Sequence, residues 1–425
     1  MTKKRIQISL ALLISLCILI YVIYVFGWLS ALLITLSFIL IITDKNIQSN
    51  LNILITVIFV FMVKITLSIT NSFFFTIYGA DKDATGFFRN GKTIANNNID
   101  IELINTGSNL FENYLALISR YLSDSQFSVE LLSILTFIIG IKYLLKIIKH
   151  LGYNKINSMI ILLFSFLPSM LVYTNITMRE PYEVTLFLMS TYYFLKGYKK
   201  DSSLFNIILF ILTTLLLGIL HNGLLLFSII LIALFGYIKM KELGIKINTF
   251  ILLPVAILIF YTLLITLELI GFSTVASNAL LKGDILTYTE DFRETGGLVD
   301  ARAVYGGDFS TDNILLFLIS LPLLFFYYFV APFPWQISSP VDFISILENV
   351  IRFYLFYIIY KNWKKIINKD VKIILILFLI LEFIWAMGTL NWGTAARHHI
   401  VAFPLLLIVS YPFLRKITIR NDFYN

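Results

Sequence analysis

Long apolar runs divided by short polar stretches set the pattern of this chain. They fall near 6–26, 28–43, 51–73, 129–148, 157–175, 182–197, 204–220, 223–238, 249–270, 314–331, 345–360, 371–389 and 400–414. A bilayer core takes roughly 20 helical residues to cross, and many of these runs approach or reach that length. The pattern predicts an all-α fold, a polytopic transmembrane helical bundle forming one integral membrane domain over 1–425. Runs 6–26 and 28–43 read as an N-terminal helical hairpin, 6–43. Only about 79–127 and 271–313 are long and polar. Within the first, "LFENYLALISRYL" (110–122) puts Leu110, Tyr114, Leu117, Ile118 and Tyr121 on one helical face. Such a helix suits either the membrane surface or packing against the bundle.

Composition agrees with the pattern. The chain is 59% hydrophobic and 14% charged, with mean hydropathy +0.87, far from the balance of a soluble domain. Its one cysteine, Cys17, allows no internal disulfide and no cysteine-based metal site. The basic start "MTKKR" resembles a signal peptide, but the apolar run behind it is long and meets a second run at once. It is expected to stay as the first helix.

The net charge of +8 does not point to nucleic acid, because the lysines gather in short loops between apolar runs. That is the positive-inside arrangement. It places "TKKR", "KYLLKIIKHLGYNK" (142–155), "KGYKK" (196–200), "KMKELGIK" (239–246) and "LRKITIR" (414–420) on the cytoplasmic side of the inner membrane, with both termini. The loops 79–127 and 271–313 are then external. A simple crossing by 313–330 would force the basic loop 361–372 outside. A re-entrant or broken segment at Pro322 removes that conflict, giving about twelve crossings plus one re-entrant element. A plain crossing with unusual loop charge is the alternative.

On this topology the uncommon polar residues converge outside. They come from "YGADKDATGFFRNG" (78–91), "NITMREPYE" (175–183), "HNG" (221–223), "PFPWQ" (332–336) and "NWGTAARHH" (391–399). Ionisable groups beside membrane segments are costly and tend to line cavities. Arg179 and Arg397 offer planar forks of donors suited to phosphate oxygens, with His398 and His399 beside the second. Snorkelling to lipid headgroups is the plainer account of a lone arginine. Asp81 and Asp83 sit where a carboxylate would accept a proton from a sugar hydroxyl or hold a cation on a diphosphate; Asp81 is the stronger candidate, and a solvated turn paired with Lys82 is the alternative. Arg179 and Glu183 are spaced to pair, as are Glu348 and Arg352. Lys64 and Glu382 lie within apolar runs and must face the interior. His221 is either a helix-end anchor or a cavity residue. Tyr305, Trp335 and Trp392 suit either sugar stacking or an aromatic belt. No Walker A, His-Glu-x-x-His or Gly-x-Ser-x-Gly sequence occurs. No definite cofactor is called for, though a divalent cation has a place.

Through "GADKDATGFF", "REP", "PFPW" and "NWGTAARHH" the chain resembles bacterial surface-polysaccharide assembly proteins. The resemblance is to GT-C-type polyprenyl-dependent glycosyltransferases and Wzy-like polysaccharide (O-antigen) polymerases. It implies a GT-C-like fold and a polyprenyl-(di)phosphate-linked sugar or repeat unit as donor. Asp81 or Asp83 would be the external base, although their loop follows the third apolar run rather than the first. Arg397 would act on the departing phosphate, and Arg179, Glu180, His221, Arg293, Arg302, Trp335, His398 and His399 would bind substrate. The expected partners are that lipid-linked glycan, the bilayer and other assembly proteins, with no nucleic acid. A flippase for lipid-linked oligosaccharide, or a non-catalytic partner of the assembly machinery, are the alternatives.

Overall fold

The computed structural model describes residues 23–77, 83–97, 99–101, 107–153, 156–245, 262, 265, 303–304, 314–389 and 391–421. Their regular elements are helices alone: α1 (Trp28–Thr43), α2 (Leu51–Phe73), α3 (Asp83–Asn96), α4 (Gly107–Tyr121), α5 (Gln126–His150), α6 (Met159–Phe166), α7 (Pro168–Tyr173), α8 (Glu180–Gly197), α9 (Leu204–Leu220), α10 (Asn222–Glu242), α11 (Ile314–Val330), α12 (Pro340–Lys361), α13 (Lys369–Gly388) and α14 (Trp392–Asn421), with two single 3-10 turns. Among the described residues six helices are long and apolar enough to cross a membrane: α2, α5, most of α10, α12, α13 and the first part of α14. Over the described residues the fold is all-helical, and these apolar helices are those of a membrane protein. Nearly all of 249–270 and of 271–313, and the first part of the 6–43 hairpin, lie outside the described residues.

The basic loops meet at one end of the bundle. Lys142 Nζ lies 3.1 Å from Asp44, His150 Nε2 3.3 Å and Lys199 Nζ 3.6 Å from Asp370, and Lys369 pairs with Glu242. Lys239 Nζ donates to Ser202 Oγ at 2.7 Å. Helices α1, α5, α8 and α10 therefore finish where α13 starts. Their other ends, with the starts of α12 and α14, form the opposite end, where Trp392 Nε1 donates to Asp342 Oδ1 at 2.9 Å.

Between the ends the interior carries polar pairs. Lys64 and Glu382 are fully buried, as their positions within apolar runs require. Lys64 Nζ donates to Thr174 Oγ1 at 2.7 Å and sits 4.0 Å from the centre of the Phe137 ring. Glu130 accepts from Ser68, Asn71, Ser72 and Gln126. Glu348 and Arg352 face each other at 3.6 Å, and Glu348 also accepts from the Ser169 amide. Each of these buried polar groups has hydrogen-bond partners, which is what makes its burial tolerable.

Four expectations change. Helix α11 runs through Pro322, so the chain does not break there. Pro168 does interrupt the run 157–175, because its ring cannot continue a helix interior. After Tyr173 the chain stays non-helical over 174–179 while every residue there is buried. Helix α14 starts at Trp392, eight residues before its apolar run, so the Gly393–Thr394 pair forms its first turn. On α4 the buried line runs through Phe111, Leu115 and Ile118, whereas Tyr121 is exposed. That line packs on α3 so closely that a Cβ on Gly91 would meet Leu115 Cβ at 2.7 Å.

Candidate functional site

The site end gathers residues from five elements. Helix α3 delivers Asp83, and edge-to-face ring contacts from Phe87 to Phe111 (5.4 Å) and from Phe111 to Tyr182 on α8 (5.9 Å) hold that helix in place. Arg120 on α4 clips the far end of α3 through the carbonyls of Ile94 and Ile99, at 3.0 and 2.9 Å. The start of α8 delivers Arg179, Glu180 and Glu183, with Pro181 preset for a first helical turn. The α9–α10 turn brings His221, and α14 brings Arg397 and His398.

Arg397 is the hub. Its Nε donates to Glu180 Oε1 at 2.7 Å and its Nη1 to Asp83 Oδ2, and its guanidinium lies 5.9 Å from the Tyr173 ring centre. Glu180 is buried, whereas the Asp83 side chain is 56% exposed. A guanidinium already held by two carboxylates is not the free phosphate clamp expected from the sequence. A phosphate reaching it must displace one of them, and the exposed, solvent-screened Asp83 is the weaker partner.

Arg179 does not pair with Glu183 in a salt bridge. Its Nη1 donates to the Leu220 carbonyl at 3.1 Å, where the last turn of α9 leaves acceptors open, and its guanidinium stacks over Phe87 at 5.5 Å. Glu183 lies within electrostatic reach of Glu180, Arg179 and Arg397. The side chains Arg179, Arg397, Asp83, Glu180 and Glu183 thus carry two formal positive and three formal negative charges.

The histidines divide. His221 caps α10: its Nδ1 accepts from the Gly223 amide at 3.2 Å, so Nε2 carries the proton of the neutral ring. Burial, with the nearby charge of Arg179, His398 and Arg397, holds this imidazole well below the usual histidine range. His398 stacks flat on Trp385, with centroids 3.8 Å apart, and its Nδ1 meets Thr389 Oγ1 at 2.8 Å. Thr389 donates its own proton to the Trp385 carbonyl. A neutral ring that donates from Nδ1 to Thr389 leaves Nε2 as an acceptor.

His399 turns away from this group, against expectation. Adjacent helical positions are about 100° apart, and His399 faces the core. Its Nδ1 meets Glu382 Oε2 at 2.8 Å and its Nε2 donates to the Tyr328 carbonyl at 3.1 Å.

Of the other expected site residues, Asp81, Arg293, Arg302 and Tyr305 lie outside the described residues. Trp335 is 79% exposed and stacks on Phe333 at 4.8 Å, with no contact to the Arg397 group; its ring is too far out on the 331–339 turn. Trp392 is buried on Asp342 as a helix-end anchor. Sequence reading missed Trp385. Its signal was the Trp385–Thr389 spacing of four, which puts both on the face that meets His398. Gly223 admits that ring, since a Cβ there would meet Trp385 Cζ3 at 2.6 Å. Among the described residues no group of three His, Cys, Asp or Glu side chains is arranged to hold a metal ion.

No family model, curated protein or solved structure significantly matches this chain.

Proposed function

We propose that this protein is a glycosyl-transferring enzyme of surface-polysaccharide assembly, a polymerase that acts at the outer face of the cytoplasmic membrane on polyprenyl-(di)phosphate-linked units. The observation that carries the reading is the Arg397 hub, joined to Glu180 and Asp83 and flanked by Arg179, His221 and His398 at the end opposite the basic loops. By the positive-inside rule that end faces outward.

Re-entry of α11 fits the same topology. Before it, the Ala303 carbonyl accepts from Trp392 N–H at 3.0 Å and Val304 pairs with Asn391. After it, the Val330 and Ala331 carbonyls both accept from Asn349 at 2.9 Å. Residues 303–304 and the trailing end of α11 thus adjoin the site-end halves of α14 and α12. The topology proposed on this basis is the one expected from loop charge, about twelve crossings with both termini cytoplasmic.

In this reading the sugar leaves a phosphate whose oxygens gain negative charge. Arg397 and Arg179, largely shielded from water, stabilise that charge more than they would in bulk solvent. A phosphate drawn to Arg397 competes with Asp83 and frees a carboxylate to accept the proton of the attacking hydroxyl. His398 Nε2 is a second acceptor at the same place.

A flippase is the second reading, favoured by Lys64 and Arg352, cations buried between the helices. The glycan profile of a deletion strain separates the two. Polymerase action predicts single lipid-linked units that reach the outer face and stay unpolymerised. A flippase predicts units retained on the cytoplasmic face, and an unaltered profile excludes both.

A further inference from the structure

The end of the bundle opposite the Arg397 hub gathers more cations than its carboxylates take up. Asp44 is held by Lys142 Nζ at 3.1 Å, Asp370 by His150 and Lys199 at 3.3 and 3.6 Å, and Glu242 by Lys369. Among the described residues, Lys146 and Lys196 pair with no carboxylate and rest on aromatic rings instead. Lys146 Nζ lies 4.4 Å from the ring centre of Tyr143 and 5.3 Å from that of Tyr192, and Lys196 Nζ lies 5.4 Å from the same Tyr192 ring. A ring face attracts an ammonium but does not neutralise it.

These lysines end a longer feature on α5. Leu132, Leu135, Ile139, Lys142, Lys146 and Lys149 are partly exposed, while the positions between them are mostly buried. Their spacings of three and four make one stripe along the helix, apolar toward mid-membrane and cationic at the end. The end of α1 flanks the stripe through the Asp44–Lys142 pair and through Asn46 Oδ1, which accepts from Lys149 Nζ at 3.3 Å. Helix α8 flanks the other side, where the Tyr143 and Tyr193 hydroxyls lie 2.8 Å apart. Lysines at these spacings repel one another. Lys142, Lys146, Lys149 and Lys196 bring four formal positive charges against the single negative charge of Asp44, so an anion stabilises the group.

The apolar half of the stripe selects the anion. A soluble phosphate or an acidic peptide would meet the charge and leave Ile139, Leu135 and Leu132 unused. Leu132 lies about 15 Å along the axis from Lys142, the depth of one leaflet's hydrocarbon. A phospholipid fits both halves, its phosphate at the lysines and its chain along the leucines.

We infer that Lys142, Lys146, Lys149 and Lys196 bind the headgroup of an anionic phospholipid whose acyl chain lies on the α5 stripe. By the positive-inside rule this lipid belongs to the cytoplasmic leaflet. The site stands apart from the glycosyl-transfer reading and does not depend on it.

The test is native mass spectrometry of the full chain in detergent with phosphatidylglycerol or phosphatidylcholine added. Wild type is expected to retain phosphatidylglycerol in preference to phosphatidylcholine. Lys146→Gln and Lys196→Gln should each weaken that retention about fivefold, the worth of one lysine at an anionic surface. Lys196 is exposed, so its replacement should keep the wild-type unfolding temperature in detergent without added lipid. Lys364→Gln removes an exposed lysine from the α12–α13 loop at the same end and should leave retention unchanged. Inorganic phosphate at matching concentration should not displace the lipid. Equal retention of the two lipids, undiminished retention in Lys196→Gln, equal weakening by Lys364→Gln, or displacement by inorganic phosphate would overturn the site.

Discussion

Arg397 Nε donates to Glu180 Oε1 at 2.7 Å, joining residues 217 positions apart across the end of the bundle. The second arm of the same guanidinium reaches Asp83. One partner is buried and the other exposed, so the two bonds should differ in what they contribute.

Removing Arg397 strands Glu180 without a counter-ion. Arg397→Ala is expected to destabilise the protein by about 3–5 kcal/mol, as for a broken buried pair. Asp83→Asn should cost under about 1 kcal/mol, because its side chain is half in water, yet abolish glycan transfer. Unfolding of both variants in one detergent, beside their glycan profiles, checks the contrast.

The Glu382–His399 pair ties α13 and α14 to the Tyr328 carbonyl on α11. His399→Leu should destabilise by about 3–5 kcal/mol by leaving a buried carboxylate alone, and adding Glu382→Leu should recover most of it. Thermal unfolding of the two singles and the double measures this coupling. Additive losses would show that the pair is not a unit.

His221 sets a pH dependence. Its folded pKa lies below the unfolded value of about 6.5, so the unfolded chain takes up the proton first as pH falls. Its contribution is full above about pH 6.5 and is lost as pH drops through that value toward the folded pKa. His221→Asn keeps a side chain able to cap α10 and should flatten the fall in Tm between about pH 7 and 5.

Re-entry of α11 has a labelling consequence. In a Cys17→Ser background, cysteines at Thr295 and at the exposed Trp335 should both react with an impermeant maleimide added outside intact cells, while one at Lys364 should not. A plain crossing would place Thr295 and Trp335 on opposite sides.

Much of this architecture was legible in the chain. The boundaries of α1, α2 and α9 coincide with apolar runs, and where a polar cap helps set one, as Asn50 does at the start of α2, it stands at the edge of the run. Loop charge was equally readable, and it brought Asp83, Arg179, Glu180, His221, Arg397 and His398 to one end. What hydropathy could not reveal was direction around a helix. "TAARHH" is too polar to read as a membrane helix, so its start at Trp392 was hidden, and with it the rotation that separates His398 from His399. Trp385 was hidden as well, since a tryptophan near a helix end reads as an interface anchor.

The most direct test is reconstitution. Wild type, Arg397→Ala and Asp83→Asn would be placed in liposomes with lipid-linked units extracted from a deletion strain, and the products sized. The account predicts elongated chains and released polyprenyl phosphate or diphosphate with wild type alone. Unchanged donor with folded wild-type protein, or equal elongation by Arg397→Ala, would contradict it.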